Sequence, residues 1–191
     1  MSTAPRPYAG GPASLPSACS AALAHVRAAG INFLALDFDL TILSIHTGGA
    51  WPSSPASLSS HVRPLFYHLI SAALAAGMSV AVVTFSPQVP VIREVLALLF
   101  PQHASRIPIR GGDRSWSYEG GGSAAGKQAH MASAVEELGE GGGGGDITRA
   151  STLLIDDDAN NISVALAEGV RAIWLNPKDS DRLLENITDM I

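Results

Sequence analysis

The strongest constraint on the fold of this chain is the stretch INFLALDFDLTIL at residues 31–43. Its first six residues are mostly apolar and do not alternate with polar ones, which is typical of a parallel strand buried on both faces. Asp37 and Asp39 follow at once, and side chains two positions apart on an extended backbone project to the same side. Two like charges held close together repel, so the pair calls for a cation. The plainer alternative is two aspartates that only begin a turn.

Strands and helices alternate along the rest of the chain. The apolar runs 78–83 and 151–155 are predicted as further buried strands, and shorter strands are predicted at 106–109 and 170–175. Helical spacing of apolar residues predicts helices near 18–29, 62–77, 87–99, 123–138, 162–167 and 182–191. This alternation predicts an α/β fold, a three-layer, Rossmann-like parallel sheet with helices on both faces. The carboxyl ends of all strands then lie at one edge, where ligands bind.

Side chains of complementary chemistry fall at that edge. We expect it to collect the following residues: Asp37, Asp39, Thr84, Lys127, Asp156 and Asp157. Lys127 is predicted about one turn into a helix capped by Ser123, where the helix dipole opposes its charge, so its position indicates a function; a solvated surface lysine is the alternative. Carboxylates hold Mg2+, while lysine and threonine donate to phosphate oxygens. The sequence therefore predicts a site for a magnesium ion and a phosphoryl group.

In order and spacing, these residues resemble motifs I to IV of the haloacid dehalogenase (HAD) superfamily. The matching segments are Asp37-Phe38-Asp39-Leu40-Thr41, Thr84, Lys127 and Asp156-Asp157, and the resemblance covers roughly residues 31–177. It implies an HAD-like fold and a Mg2+-dependent phosphomonoesterase that works through an aspartyl-phosphate. The family's dehalogenases lack the second aspartate of motif I, so Asp39 argues for phosphate chemistry.

The resemblance also implies a role for each residue of the motifs. Asp37 would be the nucleophile, and Asp39 the general acid and base. Thr84 and Lys127 would bind the phosphoryl group. Asp157 would complete the Mg2+ site, with the Asp37 carboxylate and the Asp39 backbone carbonyl as the other protein ligands. Asp156 would steady Lys127 rather than contact the metal.

Large caps in this superfamily are inserted after motif I or between motifs II and III. Both intervals are only about forty residues here, and the predicted helices and strands consume most of them, so we expect no large cap. Ser86, the run Lys127-Gln128-Ala129-His130, the Asp156-Asp157 pair and Asn161 are similar to the small magnesium-dependent phosphatases of that capless class. That similarity implies phosphoprotein or sugar-phosphate substrates, with Thr41, Ser86 and Asn161 as supporting residues.

Two loops are candidates for contacting the rest of the substrate. Residues 44–60 are predicted as a loop above the two aspartates that could act as a flap, with His46 and Trp51 as possible substrate contacts. The glycine-rich loop 110–122 offers Arg110 and Arg114, together with two aromatic residues. The alternatives are ordinary loop anchoring for the first pair and a surface connector for the second loop.

Composition limits the domain organisation and the partners. With 191 residues, 47% of them hydrophobic, we expect a flexible tail at 1–17 and one domain at 18–191, in which the glycine run 141–145 is a flexible connector. A net charge of -5 without runs of Lys or Arg disfavours nucleic acid and anionic membranes as partners. The single cysteine, Cys19, cannot form an intramolecular disulfide, so a cytoplasmic location is the default, with an organelle transit peptide as the weaker alternative.

The predicted partner is therefore a phosphorylated small molecule or a phosphoprotein, and the oligomeric state is left open. Two alternatives to a phosphomonoesterase remain at this stage. The first is a phosphotransferase or a nucleic-acid-end phosphatase of the same fold, and the acidic balance argues against the latter. The second is a non-catalytic interaction module, although the four motifs retain all of their acidic residues.

Overall fold

The computed structural model describes residues 14–118, 122–140 and 146–190, which form five strands and seven α-helices. The strands are β1 (Phe33–Leu36), β2 (Ser79–Val83), β3 (Ile109–Arg110), β4 (Thr152–Asp156) and β5 (Arg171–Trp174). The helices are α1 (Leu15–Ala28), α2 (Pro55–Ser59), α3 (Pro64–Ala75), α4 (Val89–Leu99), α5 (Gln128–Glu140), α6 (Ala159–Ala167) and α7 (Leu183–Asp189). No described helix is both long enough and apolar enough to cross a lipid bilayer.

All five strands are parallel, and their order in the sheet is β3-β2-β1-β4-β5. The first strand is therefore central: Leu36 lies beside Val82 of β2 on one side and beside Ile155 of β4 on the other. The chain builds outward from β1 in one direction and then continues from β4 in the other. A crevice opens at such a reversal, outside the carboxyl ends of β1 and β4, and it is the usual ligand site of an open parallel sheet.

Helices cover both faces of the sheet, as predicted. Alternate residues of β1 point to opposite faces, so Leu34 and Leu36 pack with α1, α3, α4 and α7, whereas Phe33 and Ala35 pack with α5 and α6. Both apolar clusters are buried, which explains why the strands show no alternation of polar residues. The three-layer, Rossmann-like prediction is confirmed, and among the described residues no inserted domain covers the carboxyl edge.

Several predicted boundaries are wrong. The first helix begins at Leu15, so residues 15–17 are helical and not part of a tail; residues 1–13 lie outside the described residues, as does the predicted connector 141–145. Pro16 occupies the first turn, where a proline loses no intrahelical hydrogen bond. The third strand is shorter and later than predicted, at Ile109–Arg110, because residues 104–106 form a 3-10 turn and Pro108 has no N–H for the ladder.

The predicted flap is not a loop throughout. Residues 55–59 form α2, and the Ser54 hydroxyl accepts a hydrogen bond from the Ser57 N–H at 3.1 Å. A serine cap followed by Pro55 is a helix-start signal, so this short helix was predictable. The second helix-start signal, Ser86 followed by Pro87, is misleading, because α4 begins at Val89 rather than at Pro87.

Candidate active site

Asp37 leaves the carboxyl end of the central strand and enters a tight irregular turn, Phe38–Ile42. Within it Leu40 has a φ of 59°, a left-handed conformation that leucine rarely adopts. Arg63 stabilises this turn by donating hydrogen bonds to the carbonyl of Leu40 at 3.3 Å and to that of Thr41 at 3.2 Å. The turn thus sends consecutive side chains in different directions around the crevice.

Lys127 reaches the same crevice from the face of the sheet that α5 and α6 cover. Its ammonium donates to Asp37 Oδ1 at 2.6 Å and to the Val83 carbonyl at 2.9 Å, and it lies 3.5 Å from Asp156 Oδ2. Only 1% of the lysine is exposed. It lies just before α5 and not one turn inside it as predicted, because Gly126, with a φ of 64°, turns the chain there.

The charges around Lys127 account for its protonation. Burial lowers the pKa of the lysine, but the negative charges of Asp37 and Asp156 more than offset this, so the pKa is raised and the ammonium persists. The Phe85 ring lies 4.6 Å from Nζ and adds a cation–π contact. A permanently charged group therefore lies beside the predicted nucleophile.

Asp37, Asp156 and Asp157 each offer one carboxylate oxygen, and these three oxygens lie within 4.8 Å of one another. The pKa of Asp37 is raised by burial, with Lys127 acting against the shift, and that of Asp156 is raised to about 6 by burial and by repulsion from Asp37. Burial and the neighbouring Asp156 also raise the pKa of Asp157. Clustered oxygen ligands with this mutual repulsion can hold a hard divalent cation, so the residues fit the predicted metal.

Asp156 and Asp157 have different surroundings, which separates their roles. Asp156 accepts hydrogen bonds from the Asp158 N–H at 2.8 Å and from Asn161 Nδ2 at 2.9 Å. These bonds hold its carboxylate against Lys127, consistent with the predicted steadying role. Asp157 is half-buried, and the one side-chain donor to its carboxylate among the described residues is the Thr41 hydroxyl at a long 3.4 Å, so Asp157 is the more available ligand.

Thr84 and Ser86 follow β2 and form the adjoining wall of the crevice. Both are buried, and the Ser86 N–H donates to Thr84 Oγ1 at 3.1 Å. The crevice is a cavity of about 300 Å³, and it contains nearly all of the predicted catalytic, metal-binding and phosphate-binding groups. Its lining includes Asp37, Asp39, His46, Gly49, Thr84, Phe85, Ser86, Pro87, Lys127, Asp156, Asp157, Asp158 and Asn161.

The four predicted substrate contacts have different outcomes. His46 lines the cavity, and its Nδ1 accepts the Gly48 N–H at 2.9 Å, which leaves Nε2 as the donor of the neutral ring. Trp51 is not in the cavity lining: its Nε1 donates to the Ser54 carbonyl, and its ring packs on the core, which favours the anchoring alternative. Arg114 is exposed and outside the cavity lining.

Arg110 is outside the cavity lining and has partners elsewhere. Its guanidinium binds Glu137 at 2.7 Å and the hydroxyl of Ser133 at 2.8 Å, both on α5. Arg110 is the last residue of the two-residue strand β3, where a side chain can point to either face of the sheet. It points to α5 rather than to the carboxyl edge.

Three residues with clear roles at the site were not identified from the sequence: Thr47, Arg63 and Gln88. Thr47 binds the carboxylate of Asp39, and Gln88 binds Thr47. Arg63 and Gln88 act through partners 23 and 41 positions away, and Thr47 contacts Asp39 from within the flap; a lone polar residue in a loop or beside a proline carries no signal for such contacts. The Thr47-Gly48-Gly49 sequence of the flap is the one feature that could have drawn attention to Thr47.

No protein-family model matches the chain, and no curated protein sequence matches it significantly. An uncharacterized protein from Corynebacterium glutamicum, known from a crystal structure, is 15% identical over 84% of this chain and 95% of that chain, with a TM-score of 0.51. The HAD domain of the effector protein Lem4 from Legionella pneumophila, solved as an inactive mutant, is 14% identical over 84% of this chain and 96% of that chain, with a TM-score of 0.45.

At such identities the likeness to the Corynebacterium protein concerns the fold, and the site has to be judged on its own geometry. The sheet is parallel with β1 at its centre, and the residues of the four sequence motifs meet at its carboxyl edge. The architecture predicted from the sequence is thus confirmed: this chain has a three-layer, Rossmann-like α/β fold similar to that of the Corynebacterium protein.

Proposed function

We propose that this protein is a Mg2+-dependent phosphomonoesterase in which Asp37 is the nucleophile. The observation that carries the proposal is the buried pair of Asp37 and Lys127, 2.6 Å apart at the reversal of strand order, beside the carboxylate cluster. The ammonium opposes the rise in the Asp37 pKa that burial causes, and it neutralises charge on a phosphoryl group bound next to it.

In the first step, one carboxylate oxygen of Asp37 attacks phosphorus, and the bond between phosphorus and the leaving oxygen breaks. Asp39, in its acid form, gives its proton to that leaving oxygen, so an alcohol departs and an aspartyl-phosphate remains. Lys127 and Thr84 line the position of the transferring group and donate to its oxygens.

In the second step, water attacks the phosphorus of the aspartyl-phosphate. Asp39, now a carboxylate, takes a proton from this water, the bond to Asp37 breaks, and inorganic phosphate leaves. Both aspartates return to their starting states, so one water is consumed for each ester hydrolysed. A bound Mg2+, held by Asp37, Asp157 and the backbone carbonyl of Asp39, would supply further neutralisation of the phosphoryl charge.

The shape of the site supports phosphoprotein or sugar-phosphate substrates. A cavity of about 300 Å³ accommodates a phosphoryl group and a small leaving group. Since no inserted domain among the described residues covers its rim, a phosphate on a protein side chain can also approach Asp37.

The proposal is tested by a screen of phosphate release from sugar phosphates, nucleotides and phosphopeptides, with Mg2+, with Ca2+ and with excess chelator. We expect release with Mg2+ only, since Ca2+ permits looser coordination and two-oxygen capture of the attacking carboxylate. Asp37→Asn is the inactive control. Full activity in chelator, or unchanged activity of Asp37→Asn, would contradict the proposal.

A further inference from the structure

Both oxygens of the Asp39 carboxylate accept hydrogen bonds from one flap residue, Thr47. The Thr47 N–H donates to Oδ1 at 3.1 Å and the Thr47 hydroxyl donates to Oδ2 at 3.0 Å. Two donors on two oxygens fix the plane of a carboxylate, whereas a single bond leaves it free to rotate. Asp39 is only partly buried and lines the cavity, so packing alone does not hold it.

Gln88 holds Thr47 in turn. Its Nε2 donates to Thr47 Oγ1 at 2.8 Å and to Ser86 Oγ at 3.2 Å, while its Oε1 accepts the Trp51 N–H. The side chain is buried, and both ends of the amide are used, so a flipped amide would face an N–H with its own NH2 group.

The direction of this chain of bonds follows from proton counting. The Thr47 hydroxyl has one hydrogen, and it donates this hydrogen to Asp39 Oδ2. The Thr47 oxygen must therefore accept from Gln88, as the amide orientation requires. The result is a one-way series, Gln88 to Thr47 to Asp39, that links the turn after β2 to the partner of the nucleophile.

We propose that Thr47 and Gln88 are positioning residues that orient Asp39 for giving its proton to the leaving oxygen. This inference rests on the phosphomonoesterase function proposed above. Neither residue touches the substrate; Thr47 sets the carboxylate, and Gln88 sets Thr47 and ties it to Ser86, so the acid and the phosphate-binding turn keep a fixed relation.

The dependence of the rate on the leaving group distinguishes positioning of Asp39 from a purely structural role in holding the flap closed. An aryl phosphate needs little protonation of its leaving oxygen, whereas an alkyl phosphate depends on the acid. The quantity to compare is kcat/KM for 4-nitrophenyl phosphate and for glycerol phosphate, because kcat/KM reports the steps up to phosphorylation of Asp37 and excludes hydrolysis of the intermediate.

Thr47→Val keeps the shape of the side chain and removes its hydroxyl. We expect kcat/KM to fall roughly tenfold or more on glycerol phosphate and less than about threefold on 4-nitrophenyl phosphate. Thr47→Ser should restore the wild-type ratio between the two substrates. Gln88→Leu should also lower the ratio of kcat/KM on glycerol phosphate to kcat/KM on 4-nitrophenyl phosphate. The double variant should lower it little further than Thr47→Val does, because the two residues act in series.

The matched control is Ser54→Ala, which removes the cap of α2 in the same flap without a link to Asp39. It should leave the substrate ratio unchanged. Thermal unfolding of every variant verifies the fold, and Thr47→Ser provides a folded test even where Thr47→Val is destabilised. Equal losses on both substrates, or none, would overturn the inference while leaving the proposed function intact. A wild-type protein that releases phosphate from neither substrate and from no member of the screen described above would overturn the proposed function, and the inference with it.

Discussion

Asp37 and Asp39 are two residues apart, yet they face different partners. Asp37 is buried and paired with the ammonium of Lys127, whereas Asp39 is partly exposed and held by the neutral donors of Thr47. The positive charge beside Asp37 favours the ionised form that attacks, whereas Asp39 lines the cavity with only neutral donors on its oxygens. The surroundings therefore match a nucleophile and an acid/base.

The two roles predict different failures. Asp37→Asn removes the nucleophile and should abolish any covalent intermediate, whatever the leaving group. Asp39→Asn keeps the nucleophile, so an aryl phosphate should still phosphorylate Asp37 and then turn over on the order of a hundredfold more slowly. Rapid-quench kinetics should show a burst only in the Asp39 variant. Loss of the burst in both variants would contradict the assignment of Asp39, and a burst in Asp37→Asn would place the nucleophile elsewhere.

His130 is a second titratable residue whose environment is unusual. It is buried against the rings of Phe85, Trp116 and Tyr118, with centroids 4.8–5.1 Å away. Burial and the charge of Lys127 lower its pKa from 6.5 to about 4. The folded state therefore binds fewer protons than the unfolded state between these values, and the free energy of unfolding that this group contributes rises with pH through that window.

We expect His130→Phe to remove this contribution. Relative to wild type, the variant should lose less stability as the pH falls from 7 to 4, by on the order of 2–3 kcal/mol. Urea unfolding at several pH values in chelator measures the difference, with His68→Phe on α3 as the matched control. Parallel stability curves for wild type and His130→Phe would show that His130 titrates normally.

At the scale of elements, the loop after β3 packs tightly onto the turn after β2. A Cβ atom at Gly111 would lie 2.6 Å from the Ser86 carbonyl, and one at Gly112 would lie 2.6 Å from the Phe85 carbonyl. The Gly112 N–H also donates to the Ser86 carbonyl at 2.9 Å. These contacts require glycine, because a backbone carbonyl cannot move aside without shifting the turn that carries Thr84 and Ser86.

Gly111→Ala should therefore impair both folding and the site. We expect a loss of about 1–3 kcal/mol in unfolding free energy and a rise in KM larger than any fall in kcat, because the turn of Thr84 and Ser86 is displaced. Gly139→Ala is the matched control: it lies within α5 with nothing near its Cβ position and should be neutral or stabilising. Equal behaviour of the two variants in steady-state kinetics would show that the turn tolerates displacement.

The sequence predicted those parts of the fold and the site that follow from local patterns. Continuous apolar runs identified the strands, and polar residues at their ends identified the positions of Asp37, Thr84 and Asp156. The rule that parallel strands end at one edge was then enough to bring these residues together. Lys127 was expected at this edge from its position near a helix start, and the family resemblance then implied its role as a phosphate-binding residue.

The direction in which a side chain points, and its hydrogen-bond partners far along the chain, could not be predicted in the same way. Arg110 turns to α5 because Glu137 lies there, and nothing in the residues near Arg110 indicates that packing. Arg63 contacts Leu40 across 23 positions, and Gln88 contacts Thr47 across 41. Such hydrogen bonds depend on the completed tertiary structure, so single-residue patterns do not contain them.

For the whole molecule, the carboxylate cluster creates a link between metal binding and stability. The raised pKa values of Asp37, Asp156 and Asp157 mean that their ionised forms are unfavourable in the metal-free fold. Between the unfolded value and about 6, the folded state holds more protons at Asp156, so its contribution to stability falls as the pH rises through that window. A divalent cation at neutral pH removes the same repulsion.

We expect Mg2+ to raise the unfolding midpoint at pH 7.5 by on the order of 5 °C at about a hundred times its dissociation constant. Asp157→Asn should unfold at a higher temperature than wild type in chelator, because one repelling charge is gone, and should lose most of the response to Mg2+. Calorimetry against potassium chloride of equal ionic strength measures both effects. A wild-type midpoint that does not respond to Mg2+ would contradict a metal site at this edge.

The central position of β1 also determines when each of its edges is covered during synthesis. Strand β2 can pair with one edge early, but β4 follows roughly seventy residues later, which at ribosomal rates of about 5–20 residues per second takes several seconds. Throughout that interval the other edge of an entirely apolar strand is open to neighbouring nascent chains. Nascent chains stopped before residue 152 should therefore aggregate and remain bound to chaperones. Chains in which β4 has emerged from the ribosome should do neither.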